Sequence, residues 1–182
     1  MRALFLALLL AACGSTPKES FYTLSAPPPV EPAGQPTLSV VVGPVTVPEA
    51  VDRTPMVVRT GPNQVDIEDL HRWAEPLKAA IPRVLAAHLA RDLGSARVSS
   101  SRQAAGADAD YRIAVDVTRF ESSLTEGALL EASWTVVGKG GTRRGRTVAQ
   151  EAATPANHAG LASAHSRALE KLAKEIGAVL RR

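Results

Sequence analysis

The sequence predicts an α+β domain, a single mixed or antiparallel β-sheet with two long helices packed on one face. Three observations predict it. Tyr111, Ile113, Val115 and Val117 alternate with Arg112, Ala114, Asp116 and Thr118, the period of a half-buried strand. Leu77, Ile81, Val84, Leu85, His88, Leu89 and Leu93 recur at helical spacing, and Leu161, Ala164, His165, Ala168, Leu172, Ile176 and Val179 repeat that pattern near the end. A sheet with one apolar face and two helices with apolar stripes bury one another.

After Met1 come Arg2, the apolar run from Ala3 to Leu10, then Ala11-Ala12-Cys13. A basic residue, a short apolar stretch and small residues before a cut site make a secretory signal, too short to span a bilayer. Leu10-Ala11-Ala12-Cys13 looks like a bacterial lipobox, which implies cleavage before Cys13, a diacylglycerol on its sulfur and an acyl group on the new amine. No other cofactor is expected. Three acyl chains hold far better than one, because each buried methylene contributes about 0.8 kcal/mol. Gly14 stands where an inner-membrane retention signal would carry Asp, so the outer membrane is the expected destination. The organisation expected is a signal over 1–12, a lipidated tether over 13–20 and a domain over 21–182.

Composition narrows the function classes. Removing residues 1–12 leaves 170 residues, enough for a core, and lowers the net charge from +3 to +2. So small an excess gives no nucleic-acid footprint. Cys13 is the only cysteine, so its lipidation leaves no thiol for disulfides, catalysis or metal binding.

The elements follow in order. Phe21 to Ser25 is an apolar island read as a short docked strand. Five prolines in residues 26–36 make an extended loop. Leu38 to Val42 reads as a buried strand that continues past Pro44 to Val47 with a kink or bulge. Met56–Thr60 and Gln64–Ile67 flank Gly61-Pro62-Asn63 as a hairpin. Glu68 to Glu75 is expected to be a helical turn or loop. Pro76 opens the first helix and Gly94 stops it, with Pro82 either kinking an interior turn or marking the true start. A short strand at Ala96–Ser99 and a loop over Ser100–Asp108 precede the alternating strand. A second strand covers Ala128–Val137, and a turn at Gly138–Thr142 leads to a third near Arg146–Ala152. The last helix spans Ala156–Leu180.

Catalytic chemistry is sparse. The four histidines, His71, His88, His158 and His165, show no metal-binding spacing, so no metal ligand is assigned. His158 and His165 lie two turns apart on one helix, too far to share an ion easily. His88 and His165 read as packing histidines on apolar stripes. There is no Gly-x-Ser-x-Gly elbow or Walker loop, and Gly138-Lys139-Gly140-Gly141 reads as a hairpin turn. Arg143, Arg144 and Arg146 form a charged hairpin tip. Asp52-Arg53, Arg59 and the run from His71 to Leu77 combine charge and aromatic character outside the core stripes. Arg53, Arg59, Arg72, Trp73 and Glu75 are therefore the candidate partner-contact residues, with a core place for Trp73 as the alternative.

On these residues the chain resembles the PqiC family, the ABC-type transport auxiliary lipoproteins. The matching pieces are the lipobox with Phe21-Tyr22-Thr23-Leu24, Val42 to Pro48, Val51 to Arg59, and Arg72-Trp73-Ala74-Glu75-Pro76-Leu77. Arg83 to Ala86 and the strand from Asp110 complete the series. Two departures stand out: Thr54 separates Arg53 from Pro55, and Pro82 interrupts the helix. The resemblance implies a non-catalytic accessory lipoprotein of the outer membrane, facing the periplasm. Its implied partner is the mammalian-cell-entry (MCE) domain subunit of a transporter that moves lipid between membranes, and a homo-oligomeric ring is compatible with that role. Another outer-membrane assembly or plug lipoprotein, and a periplasmic hydrolase, stay open as alternatives.

Overall fold

A computed structural model describes residues 17–29, 38–100 and 109–181. The signal, Cys13 and the first tether residues lie outside the described residues, as do most of the proline-rich loop and the Ser100–Asp108 loop. The strands are β1 (Ser20–Tyr22), β2 (Val40–Thr46), β3 (Pro55–Gly61), β4 (Gln64–Trp73), β5 (Val98–Ser99), β6 (Tyr111–Ser123), β7 (Gly127–Gly138) and β8 (Gly141–Glu151). Helix α1 (Leu77–Leu93) lies between β4 and β5, and α2 (His158–Leu180) ends the fold.

Strand β6 is the spine. Along its whole length β7 runs antiparallel, from Tyr111 opposite Gly138 to Ser123 opposite Gly127. Since β7 fills one edge, β2 and β3 must share the other. β2 lies parallel to the first half, from Val40 beside Tyr111 to Thr46 beside Asp116. β3 then takes over with Val58 beside Ser122. β5 extends the sheet beyond β2, β8 beyond β7, and β4 and β1 beyond β3. The sheet is therefore mixed, with eight strands.

Both helices cover one face and touch each other, α1 over β2 and β5, α2 over β7 and β8. Ile113, Val115 and Val117 of β6 and Leu130, Ala132 and Val136 of β7 are buried beneath Leu85, Leu89, Leu169, Leu172 and Ile176. Both predicted stripes thus face the predicted strands. The second face carries Arg112, Asp116, Arg144 and Arg146, as the alternation requires.

Local chemistry explains most boundaries. The ladder shifts between Val42 and Val45, where Gly43 adopts φ +133°, so the bulge expected near Pro44 is present. Gly94 ends α1 in the left-handed conformation, and the Ser95 N–H donates to the Ala90 carbonyl at 3.0 Å, the Schellman closure. Pro82 is inside α1 and buried, and the helix starts five residues earlier, at Leu77. Its missing N–H forgoes the ladder bond to the Lys78 carbonyl, which water can solvate because Lys78 is exposed. α2 starts at His158, two residues later than expected, because Asn157 is the N-cap and its side chain accepts from the Gly160 N–H at 2.9 Å.

Two segments differ from the sequence reading. Glu68–Trp73, expected as a helical turn or loop, is the continuation of β4. A bulge between the pairs Pro55–Arg72 and Met56–Glu68 interrupts the alternation, and β1 supplies a parallel partner for His71, Arg72 and Trp73. Tertiary pairing overrides a polar local sequence here. β8 begins at Gly141 rather than Arg146. Gly145 opposes Trp134, whose ring lies where a Cβ would come within 2.2 Å, so the aromatic surface covers the glycine.

His165 is fully buried, stacked on Phe120 with ring centroids 3.8 Å apart, and shares a 2.9 Å hydrogen bond with the Ser122 hydroxyl. Burial lowers its pKa from 6.5 to about 3. The unfolded chain therefore takes up a proton below about pH 6.5 that the folded chain refuses until near pH 3. Stability contributed by neutral His165 is complete above pH 6.5 and is lost as pH falls through that window. Urea denaturation is expected to show a loss of about 2 kcal/mol between pH 7 and pH 5. His165→Gln should flatten that part of the profile, and an unchanged slope would refute the assignment.

Candidate partner-binding face

The β1–β4–β3 extension projects from one end of the sheet, and the register fixes which side chains share its faces. Tyr22, His71 and Trp73 point toward the helices, whereas Phe21 and Arg72 lie side by side on the opposite face. Val57 is paired with Ile67 and Arg59 with Val65, also on the uncovered face, while Met56 and Val58 are buried on the other. Phe21 is 59% exposed, Val65 53% and Ile67 48%. Three large apolar side chains on one short sheet extension, joined by Arg59 and Arg72, form a surface of the kind that partners cover. Beside it, Val51, Val57, Val65 and Arg59 line a groove of ≈ 290 Å³ against Phe120 and Glu121 of β6.

Of the five residues selected from sequence, only Arg59 and Arg72 reach this face. Arg59 lies 3.5 Å from Glu121 and is also paired with Glu126. Arg119 donates to both oxygens of Glu121, at 2.7 and 3.0 Å; these bonds, with the nearby positive charges, hold that carboxyl below its ordinary range. Arg72 reaches Glu19 at 3.2 Å. Arg53 is exposed on the loop before β3, and Glu75 pairs with Arg83 beside α1. Trp73 is 4% exposed and meets the rings of Phe120 and His165 edge-on, each at 6.1 Å. It takes the core alternative and offers no surface to a partner.

Sequence reasoning missed the apolar side chains of this face. Val65 and Ile67 alternate as a half-buried strand should, and nothing local shows that their side of the sheet receives no helix. It also missed the meeting of His71 and His158. Their rings stack with centroids 3.6 Å apart and planes 4° from parallel, where the start of α2 reaches β4. Burial and then the neighbouring His71 charge lower the His158 pKa, with Glu68 opposing. Ser122 and His165 have the spacing of a nucleophile and base. Both are sealed in the core, and the second ring nitrogen of His165 has no partner among the described residues, so this pair meets no substrate.

A family model described as "ABC-type transport auxiliary lipoprotein component" matches residues 22–177. Among curated proteins none matches the chain. A solved structure described as an uncharacterized protein superposes with a TM-score of 0.76 at 18% identity, covering 90% of this chain and 99% of that one. A Xanthomonas campestris protein of the DUF330 family superposes with a TM-score of 0.61 at 19% identity, covering 86% and 92%. At these identities the two structures establish a shared fold.

The two neighbours Arg72 and Trp73 should separate surface from core. Trp73→Ala is expected to cost about 3 kcal/mol in urea denaturation. Arg72→Ala should change stability by no more than about 0.5 kcal/mol. A Trp73→Ala protein as stable as the wild type would contradict the packing role.

Proposed function

The chain belongs to the ABC-type transport auxiliary lipoprotein component family, and from that membership we propose that it is a non-catalytic docking subunit. It is held to the periplasmic face of the outer membrane by lipid on Cys13, and it receives the MCE-domain subunit of an intermembrane lipid transporter. The observation that carries this reading is the uncovered face of β1, β4 and β3, where Phe21, Val65 and Ile67 stand in water beside Arg59 and Arg72. An apolar centre rimmed by arginines suits a protein contact. The anchor supports the same reading. Six residues, 14–19, separate Cys13 from β1, a reach of roughly 20 Å. The face is thereby kept near its own membrane, and the partner must come to it. A ring of identical copies matched to the transporter's symmetry belongs to the same proposal.

Three measurements test the reading. Cys13→Ser should abolish lipid labelling and move the protein out of the membrane fraction, whereas the wild type should fractionate with the outer membrane. Wild-type protein in the inner membrane would overturn the destination. A photo-crosslinking residue at Ile67, in native envelopes, should capture the MCE-domain subunit, and Ile67→Glu should reduce that subunit's co-purification at least about tenfold. Capture of no transporter component would overturn the docking role. Native mass measurement in detergent tests the ring, and a monomer throughout would refute it.

A further inference from the structure

Glu68 and His71 of β4 meet His158, distant in sequence, where the start of α2 reaches that strand outside the docking face. Each offers one donor atom, and these atoms all lie within 4.8 Å of one another. We propose that these three side chains bind a divalent transition-metal ion, zinc by preference, that ties α2 to β4. The sequence alone assigns no metal ligand because no pair of histidines has a ligand spacing. The fold supplies the spacing instead.

Four observations support the site. First, two imidazoles and a carboxylate are a donor set that zinc takes with one open position for water. Second, His158 Nε2 lies 3.6 Å from Glu68 Oε1. That is too long for a hydrogen bond. It is close to the separation of about 3.4 Å between two ligands bound at about 2.1 Å in a tetrahedral shell. Third, the same Nε2 is shielded from solvent and has no hydrogen-bond partner among the described residues. A buried ring nitrogen without a partner is costly, and a metal ion would satisfy it. Fourth, the Tyr22 hydroxyl is 2.8 Å from His71 Nδ1. With that nitrogen donating its proton to Tyr22, Nε2 presents its lone pair, the outer-shell arrangement that fixes a ligating histidine.

The stacked rings show what binding requires. Parallel imidazoles point their lone pairs side by side rather than at one point, so one ring must swing for both to converge. Tyr22 belongs to β1, so the bound ion would also orient the strand nearest the anchor.

The test uses the full-length lipidated chain in detergent, stripped with a chelator, dialysed and titrated with zinc chloride alone. Calorimetry is expected to show one saturable site per chain, and the unfolding temperature should rise with zinc concentration. His158→Gln and Glu68→Gln should each weaken binding by at least about tenfold, and Tyr22→Phe by about tenfold. His88→Gln, outside the cluster, should bind as the wild type does. Circular dichroism of each variant confirms folding, and Glu68→Gln carries the test if His158→Gln does not fold. Absence of saturable binding to the wild type would overturn the site. So would wild-type affinity in the folded cluster variants, or loss of binding in His88→Gln alone.

Discussion

The sheet extension is joined to the body through a single registered pair, Val58 beside Ser122, so side-chain packing must do what backbone pairing does elsewhere. Trp73 supplies it. Its indole meets the stacked pair of Phe120 of β6 and His165 of α2 edge-on, and His165 in turn bonds to Ser122, the residue that receives β3. One buried cluster therefore gathers β4, β6, β3 and α2. The imidazole in that cluster is neutral because it is dry. The orientation of the uncovered face relative to the helices depends on this packing.

Such an arrangement separates two kinds of residue that are mixed in sequence. In the run from His71 to Trp73, alternate side chains go to opposite faces. His71 and Trp73 hold the extension from below, and Arg72 is presented above. The arginines that reach the upper face are already paired with carboxylates, Arg59 with Glu121 and Glu126, Arg72 with Glu19. Their charges are positioned before any partner arrives, and the apolar residues between them supply the area.

Much of this fold was legible in the chain. The helical stripes, the alternation in β6 and β7, the bulge near Pro44, the hairpin at Gly61–Asn63 and the stop at Gly94 are each written in local residues. The second half of β4 was not. Glu68, Asp69, His71 and Arg72 read as a helical turn or loop because their strand lies toward the sheet's periphery and is broken by a bulge. Only β1 and β3, from elsewhere in the chain, make it a strand. The uncovered face was legible in its arginines and illegible in its hydrophobic members, because exposure is a property of what does not pack on top. Trp73 shows the converse. Its setting among charged neighbours suggested a surface, and the pleat turned it inward.

Under the anchoring proposed at Cys13, the segment leaving β1 decides where a pull on the chain is borne. Leu24 is 2% exposed and belongs to the core, and the Ser25 N–H donates to the Ser166 hydroxyl on α2 at 2.9 Å. A pull on the anchored end enters the fold at Ser20. It loads the three-residue pairing of β1 with β4 first, and then meets Leu24 as a plug seated in the core. Tension applied there falls first on the near end of the domain, on β1 and then on Leu24. The antiparallel register of β3 with β4, which sets Val65 and Ile67 on the uncovered face, lies beyond them.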